Sequence, residues 1–325
     1  MQRALQTNPL FKVDRKEMLA KGWKPDASDL FRLLRRLENV VFTSTRHLLT
    51  SSSGMVLDGP VPGTAGQRTA SVLFALDGTV VRCAKVGPPA HMHREFDVSK
   101  AVHASGLAVC VMEALACHML PRSDAGAERA ALVIPFYAMT VADADLALAS
   151  GINLERNVVC LNIATCVSAA VAAFAAVGYA HGDIKPSNLM LDGSGLVTVI
   201  DFGTAQPVGQ SFTEGSIFGL DEPGTAGVAY DLVCLGSTLA SLQYQLLAHD
   251  LRTRNELLEV LNATSVTLGE DEPPSARIAR HCLVGGATVD TLLCVLQEQH
   301  ARAATGLASW AQVPGVISLD KVWSA

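Results

Sequence analysis

β-branched and apolar residues crowd into two runs, Ser71 to Leu76 and Thr79 to Val86. Asp77 and Gly78 between them form the dipeptide that supplies the positive φ angles of a two-residue hairpin turn, so the pattern predicts two antiparallel strands. Strand alternation sets Cys83 and Lys85 on one face. From Glu95 the spacing changes to a helical one, with Val98 and Val102 three and seven positions on. A further strand is expected in ALVIPFYAM, Ala131 to Met139, and a short apolar one at Leu196 to Ile200 after a tight turn at Asp192 to Gly195. Near the start, FRLLRRLE at Phe31 to Glu38 reads as an amphipathic helix. From Asn157 to Gly182 no side chain carries a fixed charge, and a run of that length is long enough to cross a bilayer. Asn157, Asn162, Thr165 and Ser168 dilute the run and Ala dominates it, so a buried helix is expected and no membrane span.

Composition narrows the class. A chain of 325 residues, 49% of them hydrophobic, has enough apolar material for one large domain or two lobes and is expected to be ordered over most of its length. Its eight cysteines are scattered without a CxxC pair, and no secretory leader is recognisable, so reduced thiols in an intracellular protein of the cytoplasm or nucleus are expected. His91 and His93 make an HxH pair with no third ligand nearby, which reads as a solvated loop and not as a metal site. The first 50 residues carry ten Lys/Arg against five Asp/Glu, and the other 275 carry fifteen against twenty-six. A basic arm can meet an acidic partner, nucleic acid or the chain's own acidic part, but the amphipathic reading comes first and disfavours nucleic acid.

The chemistry concentrates in His181 to Leu191, HGDIKPSNLML, and in Asp201 to Gly203, DFG. Asp183 lies five positions before Asn188 and eighteen before Asp201. An acidic residue that orients a hydroxyl, a lysine that neutralises a migrating phosphate, and an Asn and an Asp that hold magnesium are what phosphoryl transfer requires.

These linked motifs resemble the eukaryotic-type protein kinase family from roughly residue 60 to the C-terminus. The resemblance implies an α+β, bilobal protein-kinase-like fold: a basic extension over 1–55, a small β-rich N-lobe with hinge over 56–139, and a larger, mainly helical C-lobe over 140–325. The uncharged run then becomes the central helix of the C-lobe. The implied activity is transfer of the γ-phosphoryl group of Mg·ATP to Ser/Thr hydroxyls of protein substrates. By the same resemblance Asp183 is the catalytic base and Lys185 the phosphate-contacting lysine. Asn188 and Asp201 are the magnesium ligands, Lys85 in VRCAKV holds the α/β-phosphates, and Glu95 holds Lys85 in place. Ile134 becomes the gatekeeper, the Pro135 carbonyl and Tyr137 N–H serve adenine, and Leu189 and Met190 lie beneath the base. Cys83 keeps two readings, a thiol over adenine and plain strand packing. Asp231 in YDLVCLGSTL is expected to hydrogen-bond back to the catalytic loop, and Arg302 to pair with Glu222. The ten-residue interval from Lys85 to Glu95, together with the Pro and Tyr after the fifth strand, resembles herpesvirus protein kinases.

Three departures mark this chain. The phosphate-cradling glycines have only Gly59, Gly63 and Gly66 as candidates, at the wrong spacing, and a flexible proline-containing turn fits as well. Gly182 stands where many kinases have an arginine that pairs with a phosphorylated segment, so activation by phosphate at Ser211, Thr213 or Ser216 is not expected. The segment from Gly203 to Asp231 is short and glycine-rich, and Ser187 replaces a glutamate that contacts basic substrates in some kinases. Two rival functions remain: a pseudokinase acting as an interaction module with weak or no nucleotide binding, and a small-molecule kinase, against which Lys185 speaks.

Overall fold

The computed structural model describes residues 56–60, 71–77, 80–120, 128–137, 139–142, 144, 153–212, 216–220, 224–244, 253–269, 272–304 and 317–323. The Phe31 to Glu38 helix, Gly63, Gly66, Gly78, Thr213 and Glu222 lie outside them. The described residues form a mixed α+β structure of small antiparallel sheets and several helices, consistent with a kinase-like fold.

Five strands, β1 (Val56–Pro60), β2 (Ser71–Asp77), β3 (Val80–Gly87), β4 (Ala116–Met119) and β5 (Ala130–Pro135), make one antiparallel sheet in the order β1-β2-β3-β5-β4. Asp77 sits opposite Val80 in the β2–β3 ladder, so the connection begins one residue later than the Asp-Gly signal implied. Inter-strand pairing set this register, and the residue preference of the turn yielded to it. On central β3, Cys83 faces Ile134 and Lys85 faces Leu132 of β5.

Helix α1 (Pro89–Ala104) opens six residues ahead of Glu95, because Pro89 sits in the first turn, where its fixed φ suits a helix and its absent N–H is not needed. Met92, Glu95, Val98, Ser99 and Val102 form the buried stripe. His91 and His93 therefore lie in a helix and not in a loop, both exposed. Two residues apart they diverge by about 200° around the axis and cannot share an ion. The Ser99 hydroxyl donates to the Met112 carbonyl (3.0 Å) and accepts from Ala114 N–H (2.8 Å), fixing the chain that leaves α1.

Helix α2 (Asn153–Ala176) fills the centre. From Arg156 to Ala176 it is long and apolar enough to cross a membrane, yet 89% of its most apolar stretch is buried inside the structure. Three of its polar residues are hydrogen-bonded: Thr165 and Ser168 donate to the Leu161 and Ala164 carbonyls, while Asn162 donates to Gly195 O and accepts from Ile317 N–H. Short strands follow in two small sheets, β6 (Met139–Thr140) with β8 (Leu189–Leu191) and β9 (Val197–Val199), and β7 (Tyr179–Ala180) with β10 (Gln206–Pro207). Asp192 shapes the β8–β9 turn by accepting at one carboxylate oxygen from Ser194 N–H, Ser194 O–H and Leu196 N–H.

Helices α3 (Val228–Tyr244), α4 (Arg254–Leu268), α5 (Pro274–Leu283), α6 (Val289–Ala304) and α7 (Leu319–Trp323) complete the described chain. Thr253 and Glu256 close a reciprocal capping box at the start of α4. Helix α3 meets α5 closely at Gly236, where an added Cβ would lie 2.9 Å from Cys282 Cβ and 3.0 Å from the Ala279 carbonyl. Gly236→Ala is expected to cost about 1–3 kcal/mol through overpacking, read as a lower urea midpoint with an unchanged slope.

Candidate active site

Lys85 is carried to the site by the centre of the five-stranded sheet, where neighbours on both sides fix its backbone. Its Nζ donates to Glu95 Oε2 at 2.8 Å and to Asp201 Oδ1 at 2.6 Å. Burial works against the ammonium charge, but Glu95 and then Asp201 outweigh it and hold Lys85 protonated, above the usual lysine range. Glu95 is 2% exposed at its side chain, and burial raises its pKa even though Lys85 and the Phe202 N–H (3.3 Å) favour the anion. For Asp201 burial also acts upward, but attraction to Lys85 and the hydrogen bond from it prevail, so the carboxyl is held below the ordinary range.

Strand β9 delivers Asp201, and the chain then turns sharply. Asp201 has φ +67°, a left-handed conformation that costs a non-glycine residue of order 1–3 kcal/mol. Phe202 behind it is fully buried and meets Phe174 of α2 edge-on at 5.2 Å between ring centres. Two contacts with no sequence signature pin the same turn: Arg94 of α1 donates to the Ala205 carbonyl, and the Thr204 hydroxyl donates to His181 O at 3.0 Å.

Opposite this turn, the 181–188 loop is shaped by Asp231 near the start of α3. The Asp231 carboxylate accepts from His181 N–H and Gly182 N–H, each at 2.8 Å. Burial raises the Asp231 pKa, opposed by His181 and those two amides. The His181 ring lies edge-on to both Phe174 and Phe202. Its Nδ1 receives Asp183 N–H at 3.1 Å, so Nε2 carries the proton and donates to Ile200 O at 3.0 Å. One ring thus ties the backbone of Asp183 to the chain entering Asp201.

Asp183, Lys185 and Asn188 share a hydrogen-bond network. Asp183 Oδ2 accepts from Lys185 Nζ at 2.5 Å and from Asn188 Nδ2 at 3.0 Å, and Asn188 Nδ2 also reaches Asp183 O at 2.9 Å. Because the Asn188 amide nitrogen is committed, its Oδ1 is turned the other way, and no hydrogen bond to it is found among the described residues. The 3-10 turn Pro186–Asn188 makes this possible, with Asn188 N–H donating to Lys185 O at 2.9 Å. Ile200 N–H donates to Asn188 O at 3.0 Å, which brings Asn188 beside the Asp201 strand.

The residues expected around an adenine lie close together in sequence pairing. Cys83 and Ile134 are directly opposed, 6% and 8% exposed, and both belong to the main apolar core. The Cys83 thiol is raised by burial to about 12, with the backbone of Tyr137 acting in the opposite direction. Cys83 thus packs into the core beside Ile134. Pro135 and Tyr137 are half-buried, and Met190 pairs with Thr140 and Thr198. Glu222 is outside the described residues, so its pairing with Arg302 is too. A buried glutamate between arginines does occur at Glu272, held by Arg280 at 2.6 and 3.0 Å and by Arg277 at 3.3 Å.

Among the described residues no three His, Cys, Asp or Glu side chains converge as a metal cage. A carboxylate at Asp201 and an amide oxygen at Asn188 make a sparse, hard-oxygen set, the kind that suits magnesium, which is usually held by one or two carboxylates plus phosphates and water.

Comparison with known proteins gives one family match: the phosphotransferase enzyme family APH, over residues 152–207, which take in α2, Asp183, Lys185, Asn188 and Asp201. No curated protein matches. The match supports a kinase-like phosphotransferase and does not single out the eukaryotic Ser/Thr or herpesvirus type.

Proposed function

We propose that this chain is a Mg·ATP-dependent phosphotransferase that acts on Ser/Thr hydroxyls of proteins. The observation that carries the reading is Lys85 bridging Glu95 and Asp201, beside a loop in which Asp183, Lys185 and Asn188 are hydrogen-bonded together. Glu95 fixes where the Lys85 ammonium sits, so that a triphosphate meets a positioned charge and not a mobile one. Asp183 accepts the hydrogen bond of the acceptor hydroxyl and orients its lone pair for in-line attack. Lys185, already at Asp183, places a positive charge where the migrating phosphoryl group crosses. Asn188 and Asp201 would hold magnesium, which when bound neutralises charge on the β- and γ-phosphate oxygens. Adenine would lie against Ile134, Pro135 and Met190. The Tyr137 N–H would serve the base.

Lys185 argues for protein acceptors, the free cysteines support an enzyme of the cell interior, and the herpesvirus-like interval extends that to an infected host cell. The APH match favours a second reading, a small-molecule hydroxyl as acceptor, through the same groups. The pseudokinase reading is weakened because no member of the Lys85, Glu95, Asp183, Asn188, Asp201 set is lost. Mg·ATP at about a hundred times its dissociation constant is expected to stabilise the fold by roughly 2.7 kcal/mol, seen as a rise in Tm. Labelled ATP with mixed protein acceptors, set against pooled sugars and aminoglycosides, decides the acceptor class. A flat melting curve at millimolar nucleotide would instead favour the interaction module.

A further inference from the structure

Between Gly203 and Asp231 the described residues are held by backbone bonds. Gln206 and Pro207 pair with Ala180 and Tyr179, Gly209 N–H donates to Ala226 O at 2.9 Å, Ala226 N–H to Gln210 O at 2.7 Å, and Phe212 N–H to Gly224 O at 2.6 Å. These bonds set the Phe212 ring against Gly182. A Cβ added at Gly182 would lie 2.3 Å from Phe212 Cε1 and 2.7 Å from Cζ, and Gly182 has φ +79°, where side chains are strained in any case. The aromatic ring thus occupies the place of a side chain immediately before Asp183.

Behind Phe212 stands Tyr230, with ring centres 4.8 Å apart. The Tyr230 hydroxyl accepts Ser216 N–H at 3.0 Å, and Gly219 leaves it room, since a Cβ there would lie 2.3 Å from that oxygen. Tyr230 is the residue before Asp231, whose carboxylate holds Gly182 N–H. Two consecutive residues of α3 therefore secure Gly182 from two sides, Asp231 through its amide and Tyr230 through the Phe212 ring, tilted against it, that lies over the Gly182 Cα.

We infer that Phe212, backed by Tyr230, is a positioning residue for Asp183: it fixes the loop at Gly182 by aromatic packing, with no phosphate required. This rests on the proposed role of Asp183, but the packing can be tested apart from it. Phe212→Ala is expected to lower kcat about 10- to 100-fold, as for a displaced catalytic group, with KM for ATP unchanged and faster amide exchange at residues 182 and 183. Phe212→Leu, which keeps apolar bulk, recovers most of both. Phosphatase treatment leaves the wild type equally active. Gly182→Ala lowers Tm in the wild type and by less beside Phe212→Ala, where the clash is gone. Unchanged kcat and exchange in Phe212→Ala, or loss of activity on phosphatase treatment, overturns the inference. Should the wild type transfer no phosphate to any acceptor, the proposed function fails and the exchange and Tm arms still decide this one. Should Phe212→Ala fail to fold, Phe212→Gln carries the comparison: lower kcat with faster amide exchange at residues 182 and 183 is expected, and wild-type values of both overturn the inference.

Discussion

Asp183→Asn is expected to slow phosphoryl transfer by about 10²- to 10⁴-fold, the range for a positioned acid/base group. The substitution preserves shape. Its amide oxygen can still accept from Lys185 and Asn188, which now meet Asp183 Oδ2 at 2.5 and 3.0 Å, and the backbone bonds to His181 and Asn188 do not involve the side chain. The variant should therefore melt close to the wild type while losing the carboxylate that receives the acceptor's hydrogen bond. Initial rates with saturating Mg·ATP, measured beside Tm, separate the two effects. A variant as fast as the wild type removes Asp183 from the mechanism.

Lys85→Met should destabilise the fold by about 3–5 kcal/mol at neutral pH, the usual consequence of stripping one partner from a buried ion pair. Methionine matches the length of lysine but leaves Glu95, 2% exposed at its side chain, facing Asp201 without a cation. The glutamate then gains a proton to escape. Its folded pKa, already above 4.5 because of burial, rises further, while the unfolded chain keeps the ordinary value. The penalty is absent below the unfolded pKa and grows as pH climbs toward the folded one. Urea denaturation at pH 7 and pH 5 should show the loss shrinking in acid, and Lys85→Met with Glu95→Gln should recover much of it. Wild-type stability in Lys85→Met at pH 7 would contradict a buried, charged Glu95.

The proximity of Lys85, Glu95 and Asp201 was legible because each belongs to a short motif with its own local pattern, a strand, a helical repeat and DFG. Asp231 was legible for the same reason, and its bonds to His181 and Gly182 join the loop as expected. The start of α1 was not, because two prolines and an HxH pair look like a loop until Pro89 is recognised as a first-turn residue. The β2–β3 turn shifted by one residue because ladder register is a pairwise property that a dipeptide does not carry. Arg94 on Ala205 and Phe212 on Gly182 were invisible for a deeper reason. They join remote positions through a carbonyl and a ring face, neither of which leaves a periodic trace.

Helix α2 carries a consequence for biogenesis. Its stretch from Arg156 to Ala176 has no hydrophilic side to present to solvent while the rest of the chain is still unfinished, and α3, α5 and α6, which pack against it, are made later. A nascent or heat-opened chain thus displays a sticky rod until its own C-terminal part arrives. Recovery after denaturation should consequently depend on dilution, and shortened products ending before α3 should collect in inclusion bodies.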